Sequence, residues 1–235
     1  MPECSYNATP TAMPMESSAV KTLLHLRLLG AAIFSLLAFS ALGADETIPV
    51  PKPEVKVGDR WTYRHTDYWT NVTQSTYEHR ITLVEPSVIL GVLTAKGREG
   101  ESDAAWTSDL NTMATGGGLV ITPHTGFFRF PLKVGASHET TYETANRTSP
   151  VRSKYVVTMK VVGWEEITVP AGKFRALKIE GNGNFTRLDQ NFGGWARFGF
   201  WYVPEVKRWV KYTYEDGSNR PYAKDGHELV EFSIQ

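Results

Sequence analysis

The chain contains almost no cysteine, because only Cys4 is found among its 235 residues. Cys4 lies in a segment that we expect to be removed on export, so the processed chain would have no disulfide and no thiol nucleophile. A lipid anchor needs a cysteine at the cleavage site, and the stretch ALGADE (41–46) has none. These features predict an exported protein, periplasmic or secreted, that is not lipid-anchored.

The sequence also lacks an excess of charge of either sign, since 25 Lys and Arg balance 25 Asp and Glu. A neutral balance provides no broad field that would attract nucleic acid or an anionic membrane surface. We therefore predict no nucleic-acid partner. Oligomeric state cannot be read from the sequence.

Long apolar runs are absent apart from LLGAAIFSLLAFSAL (28–42), which follows Lys21 and Arg27. This run is too short to anchor the chain in a bilayer and is followed by small residues, as in a secretory signal peptide. We predict a signal peptide with an N-terminal prefix over residues 1–43, cleaved after Gly43 or Ala44. The start is Met1, Met13 or Met15, and no membrane span is expected after cleavage.

Helical periodicity is scarce, and apolar residues alternate with polar ones along most of the chain. In WTYRHTDYW (61–69), Trp61, Tyr63, His65, Asp67 and Trp69 share one face of a strand. The pattern predicts an all-β protein: a single curved antiparallel sheet of about ten strands that forms an open or partly closed barrel, with little helix beyond the signal peptide. We expect a Pro-rich extended lead-in over 44–56 and a single β domain over 57–235.

The stretch VPAGKF (169–174) separates two strand-like runs. A phosphate-binding loop would lead into a helix through Lys-Ser/Thr, and a nucleophile elbow would place Ser between glycines. Neither pattern is present. Pro170 presets a turn dihedral and Gly172 tolerates a positive one, so the stretch predicts a hairpin turn.

Several short motifs resemble the DUF3108-like family of uncharacterised exported bacterial proteins. They are VPAGKF with Ala176, Ile179 and Glu180; WYVP (201–204) with Arg208, Val210 and Lys211; and the strand entries KVGDRWTY (56–63) and FPLKVG (130–135). Lys207 departs from the pattern, because glycine is expected there. The resemblance implies an open, curved antiparallel barrel similar to the half-barrels of lipoprotein carriers, and it implies no established activity.

Residues that could carry chemistry cluster in the first predicted hairpin. If strands 60–70 and 76–85 pair around a turn near Thr73, Asp67 faces His79 and His65 lies on the same face. Two imidazoles and a carboxylate could bind a metal or transfer a proton. The same groups could instead form a hydrogen-bonded His–Asp pair that only stabilises the sheet, or simply lie on an exposed face. No cofactor is predicted.

Aromatic residues are the second candidate set, and Trp61, Tyr63, Trp69, Trp201 and Trp209 are the predicted ligand-binding residues. In VKRWVKYTYED (206–216), alternation places Arg208 with the valines on one face. It places Trp209 on the other face, away from the expected core. We predict a non-enzymatic envelope protein that binds a lipid, another apolar molecule or an envelope partner. The alternatives are a structural or carbohydrate-contacting surface domain and a secreted metal-dependent hydrolase.

Overall fold

A computed structural model describes residues 48–190, 192–219 and 221–235. The predicted signal peptide over 1–43, with Cys4, and the first residues of the predicted lead-in lie outside this range. Val50 in the lead-in forms an antiparallel bridge with Leu132, in which the two backbone N–O distances are 2.7 and 2.8 Å. Val50 and Val55 are both buried. The described part of the lead-in therefore contributes side chains to the core.

The described residues form twelve strands and two short 3-10 helices, which confirms the predicted all-β class. The strands are Arg60–Asp67 (β1), Val72–Val84 (β2), Val88–Ala95 (β3), Ser102–Thr107 (β4), Thr112–Thr115 (β5), Leu119–Thr122 (β6), Ser137–Asn146 (β7), Ser149–Val169 (β8), Gly172–Arg187 (β9), Phe192–Val203 (β10), Arg208–Gly217 (β11) and Pro221–Ser233 (β12). The 3-10 helices are Gly116–Gly118 and Pro204–Val206. Within the described residues, no helix has the length and hydropathy needed to cross a bilayer.

Each strand pairs antiparallel with its sequence neighbours, and β1 also pairs with β12. This last pairing closes the sheet into a barrel of twelve strands, where the sequence predicted about ten strands and an open or partly closed sheet. Closure leaves neither β1 nor β12 as a free edge. The hydrogen-bonding groups that an open sheet would expose are therefore paired.

The alternation of apolar residues decides which side chains enter the barrel. In β8, Val157, Met159 and Val161 are buried, whereas Thr158 and Lys160 between them are exposed. The buried residues form two clusters, one around Met159 and the other around Trp61. Each fully buried side chain of this size stabilises the fold by about 1.5–3 kcal/mol.

The hairpin predicted at VPAGKF is confirmed. β8 ends at Val169 and β9 begins at Gly172, and these two residues pair with each other. Gly172 has φ 137°, a value that L side chains rarely adopt. The Pro170–Ala171 turn thus joins the two longest strands.

The register assumed for the first hairpin is wrong. Tyr63 pairs with Tyr77 and Trp61 with His79, so each β1 residue up to His65 faces a β2 residue six positions earlier than predicted. Beyond His65 the shift is seven positions, and Asp67 faces Val72. The reason is that β2 already begins at Val72, which makes the turn shorter and earlier than one at Thr73. The pairing of odd with odd residues holds from Trp61 to His65 and ends at a bulge after His65.

Candidate functional site: an aromatic chamber with a buried arginine

A cavity of about 500 Å³ lies inside the barrel, and ten of the twelve strands contribute residues to its wall. We call it the chamber. Its wall includes Trp106 and Leu110 from one core cluster and Ile121, Phe127 and Phe200 from the other. The chamber therefore lies where the two clusters meet.

Aromatic rings packed against one another form much of the wall. Tyr142 and Tyr155 are stacked, with ring centroids 4.9 Å apart and an interplanar angle of 8°. Phe200 and Tyr212 are stacked at 4.8 Å. Offset and tilted ring pairs of this kind hold each other in place, so the wall is largely preformed.

Arg208 lines the chamber, and its side chain is nearly inaccessible, with a relative exposure of 4%. The guanidinium carbon lies 4.8 Å from the ring centroid of Trp106, 5.0 Å from that of Trp61 and 5.8 Å from that of Trp209. Cation–π contacts with desolvated rings offset part of the cost of burying the charge. Nη1 is buried and has no hydrogen-bond partner among the described residues. Burial lowers the pKa of Arg208, but a guanidinium remains protonated in proteins.

The backbone around Arg208 is held by two side chains of β1. Trp61 Nε1 donates a hydrogen bond to the Val206 carbonyl (2.8 Å), and Tyr63 Oη donates one to the Trp209 carbonyl (2.9 Å). Both donors belong to fully buried residues. Because these bonds flank Arg208 on both sides, they fix where its side chain enters the barrel.

Two further contacts hold the connection between β10 and β11. Lys207 has φ 59°, a left-handed conformation that glycine adopts most easily, which agrees with the glycine expected at this position. Its Nζ lies 3.1 Å from Oδ2 of the fully buried Asp59. This ion pair connects Lys207 to the residue that directly precedes β1.

Two histidines, His79 and His227, line the chamber. Burial lowers the pKa of His79 well below its usual value and lowers that of His227 to about 3. Tyr77 Oη lies 2.8 Å from His227 Nδ1, and burial raises the pKa of this tyrosine. The phenol therefore donates to a neutral imidazole. Outside the chamber wall, the His65 ring is stacked on that of His227, with centroids 4.4 Å apart.

The structure does not bring His65, Asp67 and His79 together. His65 Nε2 lies 3.1 Å from Asp225 Oδ1, whereas Asp67 Oδ1 accepts hydrogen bonds from the backbone of Trp69 and Thr70 in the turn after β1. His79 lies opposite Trp61, and Trp61 is six residues before Asp67 on β1. His79 and Asp67 are therefore separated by roughly 20 Å along the strand direction. No group of three or more His, Cys, Asp or Glu in the described ranges is arranged to hold a metal.

The five predicted ligand-binding residues lie in four different places. Trp61 and Tyr63 are fully buried behind the chamber, while Trp209 lines it. Trp69 is 56% exposed beyond β1. Trp201 lies on the outside of the barrel, where its Nε1 donates to a Glu165 carboxylate oxygen.

The prediction that Trp209 points away from the core is wrong. Trp201 pairs with Lys211 and Tyr202 with Trp209, so Val210 is an extra residue that interrupts the alternation of β11. The Trp209 ring therefore packs inside, 4.1 Å from the ring of Tyr63. Arg208 is the residue that the prediction missed. The sequence did contain one signal for it, because alternation places Arg208 on the same apolar face as Val206 and Val210.

Trp201 contributes to a groove on the outer face of the barrel, with a volume of about 350 Å³. We call it the outer groove. Lys178 Nζ and Lys211 Nζ each lie 5.6 Å from the Trp201 ring, and Lys211 Nζ lies 5.7 Å from the Tyr68 ring. Lys211 also forms an ion pair with Glu228. The outer groove is thus a partly exposed array of alternating rings and cations.

Comparison with known proteins places the fold. No protein-family model matches the chain, and no curated protein is significantly similar to it. Among solved structures, a candidate lipoprotein of Parabacteroides distasonis aligns with a TM-score of 0.55 at 15% identity, over 80% of this chain and all of that one. A candidate exported protein with a YmcC-like fold from Bacteroides fragilis aligns with a TM-score of 0.51 at 15% identity, over 79% of this chain and all of that one. The chain therefore shares the barrel fold of these proteins.

Proposed function

We propose that the protein is a non-enzymatic binding protein of the bacterial envelope that holds an apolar or amphipathic small molecule in its chamber. The chamber itself is the observation that carries this proposal. Its volume of about 500 Å³ lies within the range typical of small-molecule sites. Phe127, Phe200 and Tyr212 supply apolar surface, and Arg208 and His79 are polar residues of the wall that can orient a ligand.

Export is part of the proposal. It is supported by the signal-peptide pattern over residues 1–43 and by the similarity of the fold to that of an exported protein. The protein with the higher TM-score is described as a candidate lipoprotein. We propose that this chain carries no lipid anchor, because Cys4 is far from the expected cleavage site.

Native mass spectrometry tests the proposal directly. The full chain is produced in a bacterium with its own N-terminal segment and purified from the envelope fraction without detergent. We expect a protein mass that corresponds to cleavage after Gly43 or Ala44, together with a reproducible adduct of lipid mass. A clean mass without adduct, or an adduct with the mass of a metal ion, would contradict the proposal.

A matched pair of variants then assigns the adduct to the chamber. Thr144 lines the chamber, whereas Thr141 on the same strand is exposed. Thr144→Phe places a benzyl ring inside the barrel, and we expect the adduct to disappear. Thr141→Phe places the same ring outside and should retain it. If both variants retain the adduct, the ligand binds elsewhere.

The outer groove supports a second candidate function, contact with a carbohydrate. Trp201 and Tyr68 offer ring faces beside polar and charged groups, an arrangement on which sugars can stack. Binding on a glycan array should then be lost in Trp201→Ala and retained in Trp209→Ala, because Trp209 lies inside. Equal binding by both variants would exclude the outer groove.

A further inference from the structure

Arg208 is a buried cation without a carboxylate partner. Other arginines of the described chain, including Arg64, Arg80, Arg152 and Arg187, form ion pairs with Glu or Asp. No ion pair in the described ranges involves Arg208, and its Nη1 has no hydrogen-bond partner there. The desolvation of a buried, unpaired charge costs several kcal/mol, and the cation–π contacts with the three tryptophan rings offset only part of this cost.

The remaining chamber wall does not neutralise this charge. Among the described residues that line the chamber, Arg208 is the only one with a formal charge, because no Asp, Glu or Lys lines it. His79 and His227 are neutral, since burial lowers the pKa of each. Tyr77 and Tyr212 are also neutral at physiological pH, because burial raises their pKa values. The chamber wall, in the part of the chain that the structure describes, thus carries one positive charge.

Apolar side chains from the core cluster around Met159 line another part of the same chamber. Phe127 and Phe128 contact Phe200, at centroid distances of 5.4 and 5.2 Å, and all three line the chamber. A ligand that fits both parts has one anionic end and an apolar body. A guanidinium presents a planar set of N–H donors that matches the oxygens of a carboxylate or a phosphate.

We propose that the chamber binds amphiphiles with a single anionic headgroup, a carboxylate or a phosphate, which pairs with Arg208 while the apolar body packs against the aromatic wall. This inference rests on the proposed function and specifies its ligand class. Trp61 and Tyr63 act as positioning residues, because their hydrogen bonds to the backbone at Val206 and Trp209 set the position of Arg208.

Binding of matched twelve-carbon probes tests the headgroup. Dodecanoate, dodecyl phosphate and dodecan-1-ol are titrated, below their aggregation concentrations, into full-length protein from which bound lipid has been removed. Binding is followed by calorimetry and by tryptophan fluorescence, since Trp106 and Trp209 line the chamber. We expect at least one of the two anions to bind more tightly than the alcohol. Whichever anion binds more tightly identifies the headgroup.

Arg208→Met assigns this preference to the arginine. We expect anion binding to weaken about 10- to 100-fold, as for the loss of a hydrogen bond to a charged group, and dodecan-1-ol binding to change little. Arg197→Met is the matched control, because Arg197 lies on the outer face beside Trp195 and Glu215. This control should bind all three probes like the unmodified protein.

The outcomes separate the two proposals. If none of the probes binds, the proposed function fails and this inference fails with it. If the alcohol and the anions bind equally well and Arg208→Met changes neither, the chamber is a ligand site and the inference about the anion is overturned.

A measurement on the unmodified protein covers the case in which Arg208→Met does not fold. Dodecanoate labelled with ¹³C at the carboxyl carbon is titrated with acid while bound and followed by NMR. A neighbouring guanidinium lowers the pKa of a carboxyl group, whereas an apolar pocket without a cation raises it. A pKa below that of the free acid supports the pairing, and a pKa equal to or above it overturns the pairing.

Discussion

Replacement of Asp59 by asparagine should destabilise the protein strongly, although the side chain keeps its size. Asp59 is fully buried and accepts three hydrogen bonds. The donors are the backbone N–H groups of Lys56 (2.9 Å) and Gln235 (2.7 Å) and the Nζ of Lys207 (3.1 Å). An amide has one acceptor oxygen, so in Asp59→Asn at least one of these donors faces an NH₂ group instead of an oxygen.

The magnitude follows from this geometry. Breaking a buried ion pair costs about 3–5 kcal/mol, and a hydrogen bond to a charged group is worth about 1.5–3 kcal/mol. The Lys207 side chain is 16% exposed and also donates to the Gln235 carbonyl at 3.2 Å, so part of the loss is recovered. We expect a loss of about 3 kcal/mol, which corresponds to a decrease in Tm of about 6–12 °C for a domain of this size.

Urea and thermal unfolding measure the effect, and Glu143→Gln serves as the control. The Arg152–Glu143 ion pair has a similar N–O distance, 3.2 Å, but its side chains are 60% and 44% exposed. Its loss should cost at most about 1 kcal/mol. If Asp59→Asn costs no more than Glu143→Gln, the argument from burial is refuted. In a double-mutant cycle with Lys207→Met, the double variant should lose less than the sum of the single variants.

Three further predictions follow from individual backbone and side-chain environments. Lys207→Gly and Lys207→Ala both lose the ion pair with Asp59. Because φ at residue 207 is 59°, the glycine variant should be about 1 kcal/mol more stable than the alanine variant. Equal stabilities of the two variants in urea unfolding would contradict this. The pKa of His227 is about 3 in the folded state, below its unfolded value, so the unfolded chain binds more protons below pH 6.5 and stability falls as the pH falls. Between pH 6.5 and 4.5, the free energy of unfolding of the unmodified protein should fall more steeply than that of His227→Gln, by up to about 1.4 kcal/mol per pH unit. If the two proteins show parallel curves of stability against pH, this histidine is not responsible. Gly183→Ala should lower the free energy of unfolding by about 1–3 kcal/mol, because the new Cβ meets backbone atoms of the neighbouring strand. Gly226→Ala should lower it clearly less, because there the new Cβ meets the end of a tyrosine side chain, which can move. A larger decrease in Tm for Gly226→Ala than for Gly183→Ala would contradict this.

Local patterns predicted the strands and one of the turns. Alternation along β8 places Val157 and Met159 inside and Thr158 outside, as period two requires. Pro170 and Gly172 carry their turn preference in their own backbone chemistry, which explains why this hairpin could be predicted. Strand alternation and turn preference depend on a few neighbouring residues, so they can be predicted without knowledge of the tertiary structure.

The candidate site depends on features that no local pattern contains. The pairing of odd with odd residues between β1 and β2 agrees with alternation as far as His65, but the register depends on where the turn begins. Asp67 pairs with Val72, seven residues before His79, so the two predicted partners are apart. The extra residue Val210 reverses the expected side of Trp209. Neither the turn position nor the bulge changes the composition of the strands, so the sequence pattern contains no signal for them.

The amino-acid sequence by itself determined the all-β class, the alternating faces of regular strands such as β8 and the hairpin at 170–171, because these follow from side-chain chemistry over short distances. Only the tertiary structure decided that the barrel closes, since closure depends on pairing between β1 and β12 at opposite ends of the described chain. It also decided that Arg208 lies among three tryptophans that are distant in the sequence or displaced by a bulge. A buried, unpaired cation is a property of this assembly of strands, and Arg208 acquires it only when the barrel is closed around it.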